Sequence, residues 1–308
     1  MKSIRHQIFY FPEARIRLES LCELKCDTST DSSYFYGLVQ LCQYIQRLIV
    51  VNSDPNDYHG IAELIRVQKN LKYFEWRDDY DTTYIPRADQ DSYKEILFAL
   101  EKNANNIIHL NIFFIFISRT LQKVVPKFHK LKTLKTSFSN FTEEQLKKCV
   151  YHDLEVFKID HHNLKAASII IENSGGHLKR ISLEPYGLLG YIDGFVENSL
   201  IFILDYTYED STYEQKILEY GEILLKILIS STLNNIKEIR FCGDFKFSLQ
   251  ALEEFLKKWK GNALSIIISN YIYEDDDYYE ELINKYKNNG VIKDFRSDSH
   301  RNTVIMDE

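Results

Sequence analysis

The sequence predicts an α/β solenoid in which parallel strands alternate with helices along most of the chain. Three observations lead there. An apolar frame at positions 1, 4 and 6 begins at Leu131 and returns at Leu154 and Leu178, 23 and then 24 residues apart. Helix-like stretches with their own start and stop signals fill the intervals. The 308 residues include only 11 Gly and 5 Pro, which leaves little material for long flexible linkers.

Followed along the chain, the frame falls at Leu21/Leu24/Cys26, Ile45/Leu48/Val50, Leu71/Phe74/Trp76 and Ile107/Leu110/Ile112. It continues at Leu131/Leu134/Thr136, Leu154/Phe157/Ile159 and Leu178/Ile181/Leu183, then at Ile236/Ile239/Phe241, Leu264/Ile267/Ser269 and, in a weak last copy, Ile292/Phe295. The 58 residues between Leu178 and Ile236 leave room for two units, with Ile201/Leu204/Tyr206 as a further frame. Positions 4 and 6 lie two apart, so a strand turns both side chains to one face. Strands are therefore expected at 21–26, 45–50, 71–76, 107–112, 131–136, 154–159, 178–183, 236–241 and 264–269.

Helices are expected between them. Ser92 and Glu95 open the stretch 92–103, and Thr142 and Gln145 open 142–151, both with the spacing of a capping box. The longest amphipathic run, 214–231, is interrupted by Gly221. Gly175, Gly261 and Gly290 follow helical runs, where a left-handed residue commonly ends a helix. One strand and one helix every 23–28 residues, with two longer units of about 36, is the leucine-rich repeat pattern. No such unit buries its apolar strand face alone; stacked units share a continuous core. The expected architecture is a right-handed horseshoe with the parallel sheet on its concave face and helices outside. Residues 18–298 would form the repeat domain, 1–17 a cap or remnant, and 299–308 a disordered tail. An ordinary α/β domain is the alternative, but repeated phase is harder to obtain by accident than alternation.

Composition narrows the function classes. A hydrophobic content of 44% with 27% charge belongs to an ordered chain. The net charge of −7 with no basic tail gives no nucleic-acid footprint. The greasiest run, 107–117, is too short to cross a bilayer and contains His109 and Asn111. The N-terminus lacks the continuous apolar core of a signal peptide. Five scattered cysteines make no disulfide framework. A reducing compartment, cytoplasmic or nuclear, and a monomer follow as expectations.

Chemistry is sparse. Adjacent His161 and His162 after Asp160 point in different directions and find no second ligand cluster, so a surface turn is expected there. Cys22 and Cys26 lack a paired CxxC, which argues against zinc; Cys26 sits at an inward position. The acidic stretch 273–281 lacks calcium-loop spacing and is expected to be a solvated turn. No phosphate-binding loop, dinucleotide fingerprint or nucleophile elbow occurs. No enzyme, metal or cofactor is expected. The more informative surface is the open side of the strands, positions 3, 5 and 7. It comprises Arg47, Tyr73, Glu75, Arg77, His109, Asn111, Phe113, Lys135, Lys158, Asp160, Arg180, Glu184 and Arg240. Tyr and Arg dominate binding hot spots, so this face is the candidate protein-binding site.

The stretches LESLCELKCDTSTDSSYFYGLVQLCQYIQRLIV, LIRVQKNLKYFEW and FKFSLQALEEFLKKWKGNALSIIISN, and the ending YYEELINKYKNNGVIKDFR, resemble a large fungal family of F-box-like leucine-rich repeat proteins. The resemblance covers most of residues 15–298 and is specific in VQKNLKYF and LEEFLKKW. It implies the substrate-recognition part of an F-box ubiquitin-ligase receptor, with an unknown protein target. Residues 1–17 are too few for the helical F-box ahead of the repeats. The ligase adaptor is thus an expected partner only if an F-box is encoded upstream. A stand-alone repeat scaffold with no ligase link is the alternative, and an unrecognised enzyme a more distant one.

Overall fold

The computed structural model describes residue 9 and residues 11–54, 58–79, 91–138, 140–160, 164–184, 211–230, 235–241, 247–268 and 277–297. It divides into two units, Met1–Leu154 and Glu155–Glu308.

In the first unit, five strands pair in chain order and all in parallel: β1 (Glu23–Asp27), β2 (Arg47–Asn52), β3 (Tyr73–Asp78), β4 (His109–Phe113) and β5 (Thr133–Thr136). Helix α1 (Pro12–Glu19) precedes them. The connections carry α2 (Ser32–Leu41), α3 (His59–Val67), α4 (Lys94–Glu101) and the short α5 (Leu121–Val124), and α6 (Glu143–Lys147) follows β5. Sequential parallel strands joined by crossovers of one hand place every helix on the same face of the sheet. The burial pattern agrees: β2 and β3 each read half-buried, buried, half-buried in strict alternation. Leu48, Phe74, Leu110 and Leu134 stand in register and are fully buried, as are Val50 and Trp76 beside them. Their helical counterparts are Phe35, Leu38, Ile61, Leu64, Ile65, Ile96, Leu97 and Leu100.

Each expected strand in this unit is present, starting two residues after position 1. That residue (Ile45, Leu71, Ile107, Leu131) is buried in the turn entering the strand. The following joint is the same each time. One carbonyl of the preceding unit accepts from two successive amides: Cys22 from Gln46 and Arg47, Gln46 from Lys72 and Tyr73, Lys72 from Ile108 and His109. A repeated backbone joint explains why the apolar phase repeats. Buried side-chain amides close other ends. Gln68 donates to the carbonyls of Cys42 and Leu64, both at 2.8 Å, and accepts from the Ile45 amide, so the orphan groups at two helix ends are satisfied.

The second unit repeats the plan with β6 (Val156–Asp160), β7 (Arg180–Glu184), β8 (Glu238–Phe241), β9 (Leu264–Ile268) and β10 (Ile292–Ser297), again parallel and in order. Helices α7 (Leu164–Glu172), α8 (Ser211–Ser230), α9 (Leu249–Lys258) and α10 (Asp277–Asn288) alternate with them. Phe157, Ile181, Ile239 and Ile266 form its central buried row.

Several expectations need correction. Helix α4 begins at Lys94 with no side-chain cap, so Ser92 and Glu95 make no capping box. Asp91 organises that turn, accepting from Ser118 Oγ and from the amides of Thr120 and Tyr93. Thr142 and Gln145 do form a capping box, but α6 ends at Lys147. Gly175 and Gly290 have positive φ, as does Gly176, whereas Gly261 does not. Gly221 is buried inside an unbroken α8 and does not interrupt it. In β9 the inward residues are Leu264, Ile266 and Ile268, not Ile267. There the strand's own two-residue alternation begins at Leu264, which overrides the three-residue step from position 1 to position 4. Within the stretch 273–281, Asp277–Glu281 opens α10 and is not a turn. The frame at 201–206, the histidines 161 and 162, the tail 299–308 and the side chain of Leu183 lie outside the described residues.

Candidate protein-binding face

Strand register sorts the side of the first unit's sheet that no described helix covers into rows running across the strands. Position 3 gives Glu23, Arg47, Tyr73, His109 and Thr133; position 5 gives Lys25, Ile49, Glu75, Asn111 and Lys135; position 7 gives Asp27, Val51, Arg77 and Phe113. Neighbouring strands lie about 4.8 Å apart, so side chains within a row touch.

Glu75 is the centre of that face, with only 13% of its side chain exposed. Its Oε2 accepts from the Tyr73 hydroxyl at 2.5 Å and from Asn111 Nδ2 at 3.3 Å, and its Oε1 from Arg77 Nη2 at 3.0 Å. Burial alone would raise its pKa. The donors Tyr73 and Asn111 and the charges of Arg77 and Lys135 outweigh burial and hold it below the usual value. Burial, then the hydrogen bond and charge of Glu75, push the Tyr73 hydroxyl up. With both oxygens engaged, Glu75 is a structural hub and is poorly placed to act as a base.

The rest of the face is built around it. The Arg47 guanidinium lies 4.2 Å from the centre of the Tyr73 ring, within cation–π range. Its Nε is 3.3 Å from Glu23 Oε1, an ion pair whose alignment falls short of a hydrogen bond. Asn111 donates to the Tyr73 hydroxyl at 2.9 Å. Because the Glu75 carboxylate can only accept, Asn111 must turn its nitrogen toward it. His109 shares a 2.9 Å hydrogen bond with Thr133 Oγ1 and stands 6.0 Å from the Tyr73 ring. Arg77 is 41% exposed and Arg47 42%. Asn111 holds its expected register but is only 4% exposed, because the larger Tyr73 and Glu75 side chains close over it. It positions its neighbours and does not present itself.

In the second unit, Lys158, Ser182, Arg240, Ile267 and Arg296 form one row, and Val156, Arg180, Glu238, Ser265 and Asp294 another. Arg180 Nε and Arg240 Nε converge on Glu238 Oε1 at 2.9 and 2.7 Å. Asp160 and Glu184 pair in register, and their side chains lie outside the described set. Ser182, expected outside the core, is 7% exposed; it is a small side chain between Lys158 and Arg240. Glu23, Thr133 and Glu238 complete the faces, and all three occupy position 3.

A buried polar chain in the first unit carried a signal that apolar spacing misses. Thr28, Asn52 and Asp78 all occupy position 8 of their frames. Thr28 Oγ1 donates to Asn52 Oδ1 at 3.0 Å, and Asn52 Nδ2 donates to Asp78 Oδ1 at 2.6 Å and to the Tyr58 hydroxyl at 2.9 Å. Trp76 Nε1 also donates to Asp78 Oδ1, while Asp78 Oδ2 accepts from the Ile115 amide and the Tyr93 hydroxyl. Burial pushes the Asp78 carboxyl up, and these four donors restrain the rise. At Phe114 and Phe138 the same position turns apolar; Phe114 stacks on Tyr93 at 3.7 Å.

Among the described residues no group of three His, Cys, Asp or Glu is arranged to hold a metal. Burial raises the thiols of Cys42 and Cys149 to about 11 and that of the half-buried Cys26 to about 12, which removes their nucleophilic character at neutral pH. No described helix is long and apolar enough to cross a membrane. No protein-family model and no curated protein matches the chain.

Proposed function

We propose that this chain is a non-catalytic protein-binding module. It is a leucine-rich repeat horseshoe serving as the substrate-recognition part of an F-box-type ubiquitin-ligase receptor. One observation carries the binding role: the sheet face of the first unit away from its described helices bears Arg47, Tyr73, Glu75, Arg77, His109 and Asn111 in a single array, in which hydrogen bonds join Tyr73, Glu75, Arg77 and Asn111 and ring contacts with Tyr73 hold Arg47 and His109. A merely solvated sheet face has no need of aromatic and guanidinium groups held in place. Pre-ordered Tyr and Arg side chains lose little entropy on binding and suit recognition. The ligase role rests on the resemblance described above; the repeated strand–helix phase supports the repeat architecture alone.

Site-specific photocrosslinking tests the binding role. A photoreactive phenylalanine analogue at Phe113, on the sheet face, should capture a protein that the same analogue at Phe98, exposed on α4, does not. Capture from Phe98 alone would move the site to the helical side. A ligase role predicts in addition that the captured protein accumulates when the gene is deleted. Unchanged abundance with intact capture would favour a scaffold.

A further inference from the structure

We infer that the first unit's sheet face takes an acidic, extended segment of a partner protein, a refinement that rests on the protein-binding reading above. The charge distribution points to it. The chain carries a net charge of −7, yet the face-directed residues of β2 to β5 include three cations, Arg47, Arg77 and Lys135, against the single anion Glu75. Glu75 is also the least available of the four. Its side chain is 13% exposed and both oxygens are occupied, so an approaching partner meets the cations and not the carboxylate. Of the other acids, Glu23 on edge strand β1 pairs with Arg47 through Nε alone, which leaves the rest of the guanidinium fork to a partner, while Asp27 on β1 and Asp79 just past the end of β3 lie at the margins.

The cations are also prepared for carboxylates. The Arg47 guanidinium is held over the Tyr73 ring, and Arg77 is tethered to Glu75 through Nη2. A guanidinium has five N–H donors in a planar fork that matches a carboxylate. Holding it at one point lowers the entropy cost of closing on a second partner. By register, Arg77 is one strand across and four residues along from Arg47, which puts their backbones about 14 Å apart. Lys135 is two strands across and two residues back from Arg77, about 12 Å away. In an extended peptide, such distances separate acidic residues about four positions apart. A nucleic acid fits less well, because the rest of this acidic chain repels a long polyanion and the Tyr73 ring is already covered by Arg47.

The test uses the full chain and a dye-labelled peptide of alternating glutamate and serine, with a glutamine–serine peptide, oligouridylate and phosphatidylserine vesicles as comparators. Anisotropy should report binding of the acidic peptide that weakens at least about tenfold in the Arg47→Gln/Arg77→Gln/Lys135→Gln variant and at high salt. Replacing Lys123, Lys130 and Lys148, all exposed, should leave it unchanged. A second measurement needs no variant: carbodiimide coupling of the peptide should form its amide preferentially at Lys135. Coupling spread over Lys123 and Lys130, or equal binding of the glutamine peptide, would overturn the inference, as would tighter binding of the RNA or vesicles. If Phe113 still captures a protein while the acidic peptide fails to bind, only the acidic specificity falls. If Phe113 captures nothing, the binding reading falls with it.

Discussion

Replacing Asp78 by Asn should destabilise the first unit even though it changes one atom. Each carboxylate oxygen serves one donor that cannot turn round: the Trp76 indole N–H on Oδ1 and the Ile115 backbone N–H on Oδ2. The other two donors, Asn52 Nδ2 and the Tyr93 hydroxyl, have some freedom to adapt. An asparagine has one oxygen, so either orientation aims its amide group at a fixed N–H. One buried donor is then orphaned, at about 1–3 kcal/mol. For a unit of this size each kcal/mol lowers the melting temperature by roughly 2–4 °C. Calorimetry should therefore find the melting transition that includes the first unit lowered by several degrees. The pH dependence provides a second check. Burial raises the Asp78 pKa above its ordinary 3.8, so the folded state binds this proton more tightly than the unfolded one. Its contribution to stability is full below that ordinary value and is lost as pH rises through the raised one. The Asn variant should lack this component. An unchanged melting temperature would refute the picture of a saturated buried acceptor.

Three further outcomes are expected. Leu134→Ala, at a fully buried position, should cost roughly 2–5 kcal/mol, whereas half-buried Thr133→Ala beside it should cost less than about 1 kcal/mol; equal losses in denaturant titrations would invalidate the strand facing. Glu75→Gln should remove stability at neutral pH, because the depressed carboxyl stabilises the fold above its ordinary 4.5 and loses that contribution as pH falls through the folded value; melting curves of the two proteins should converge in acid. Gly290→Ala places a side chain at φ +73° with no atom within 4 Å of the new Cβ, so it should cost about 1–2 kcal/mol from backbone strain alone, and a neutral result in thermal melts would show that α10 can end differently.

Strand positions were legible because their cause is local. Two inward side chains separated by one outward residue identify a strand, and the turn residue at position 1 fixes where it enters. Leu48, Phe74, Leu110 and Leu134 stand where that logic puts them. It failed at β9, where LSIII offers isoleucines on both faces and hydrophobicity alone cannot choose between Ile266 and Ile267. It also overlooked the network at Thr28, Asn52 and Asp78, since a scan for apolar repeats passes over a polar residue that recurs. The candidate face was legible as a set of directions but not as a set of contacts. That Asn111 closes under its neighbours, or that Arg47 lies over Tyr73, depends on rotamers which spacing does not encode.

The register of the first unit has an evolutionary consequence. Tyr73 meets Arg47 on one side and His109 on the other, partners 26 and 36 residues away in the sequence. Residues that touch on this face are thus written one unit apart, and a change in recognition requires compensating substitutions at distant codons. Duplication or loss of a whole unit would do otherwise. It would add or remove one member of every row while leaving the buried apolar rows continuous, so the surface could acquire new neighbours in a single genetic step with the core chemistry preserved.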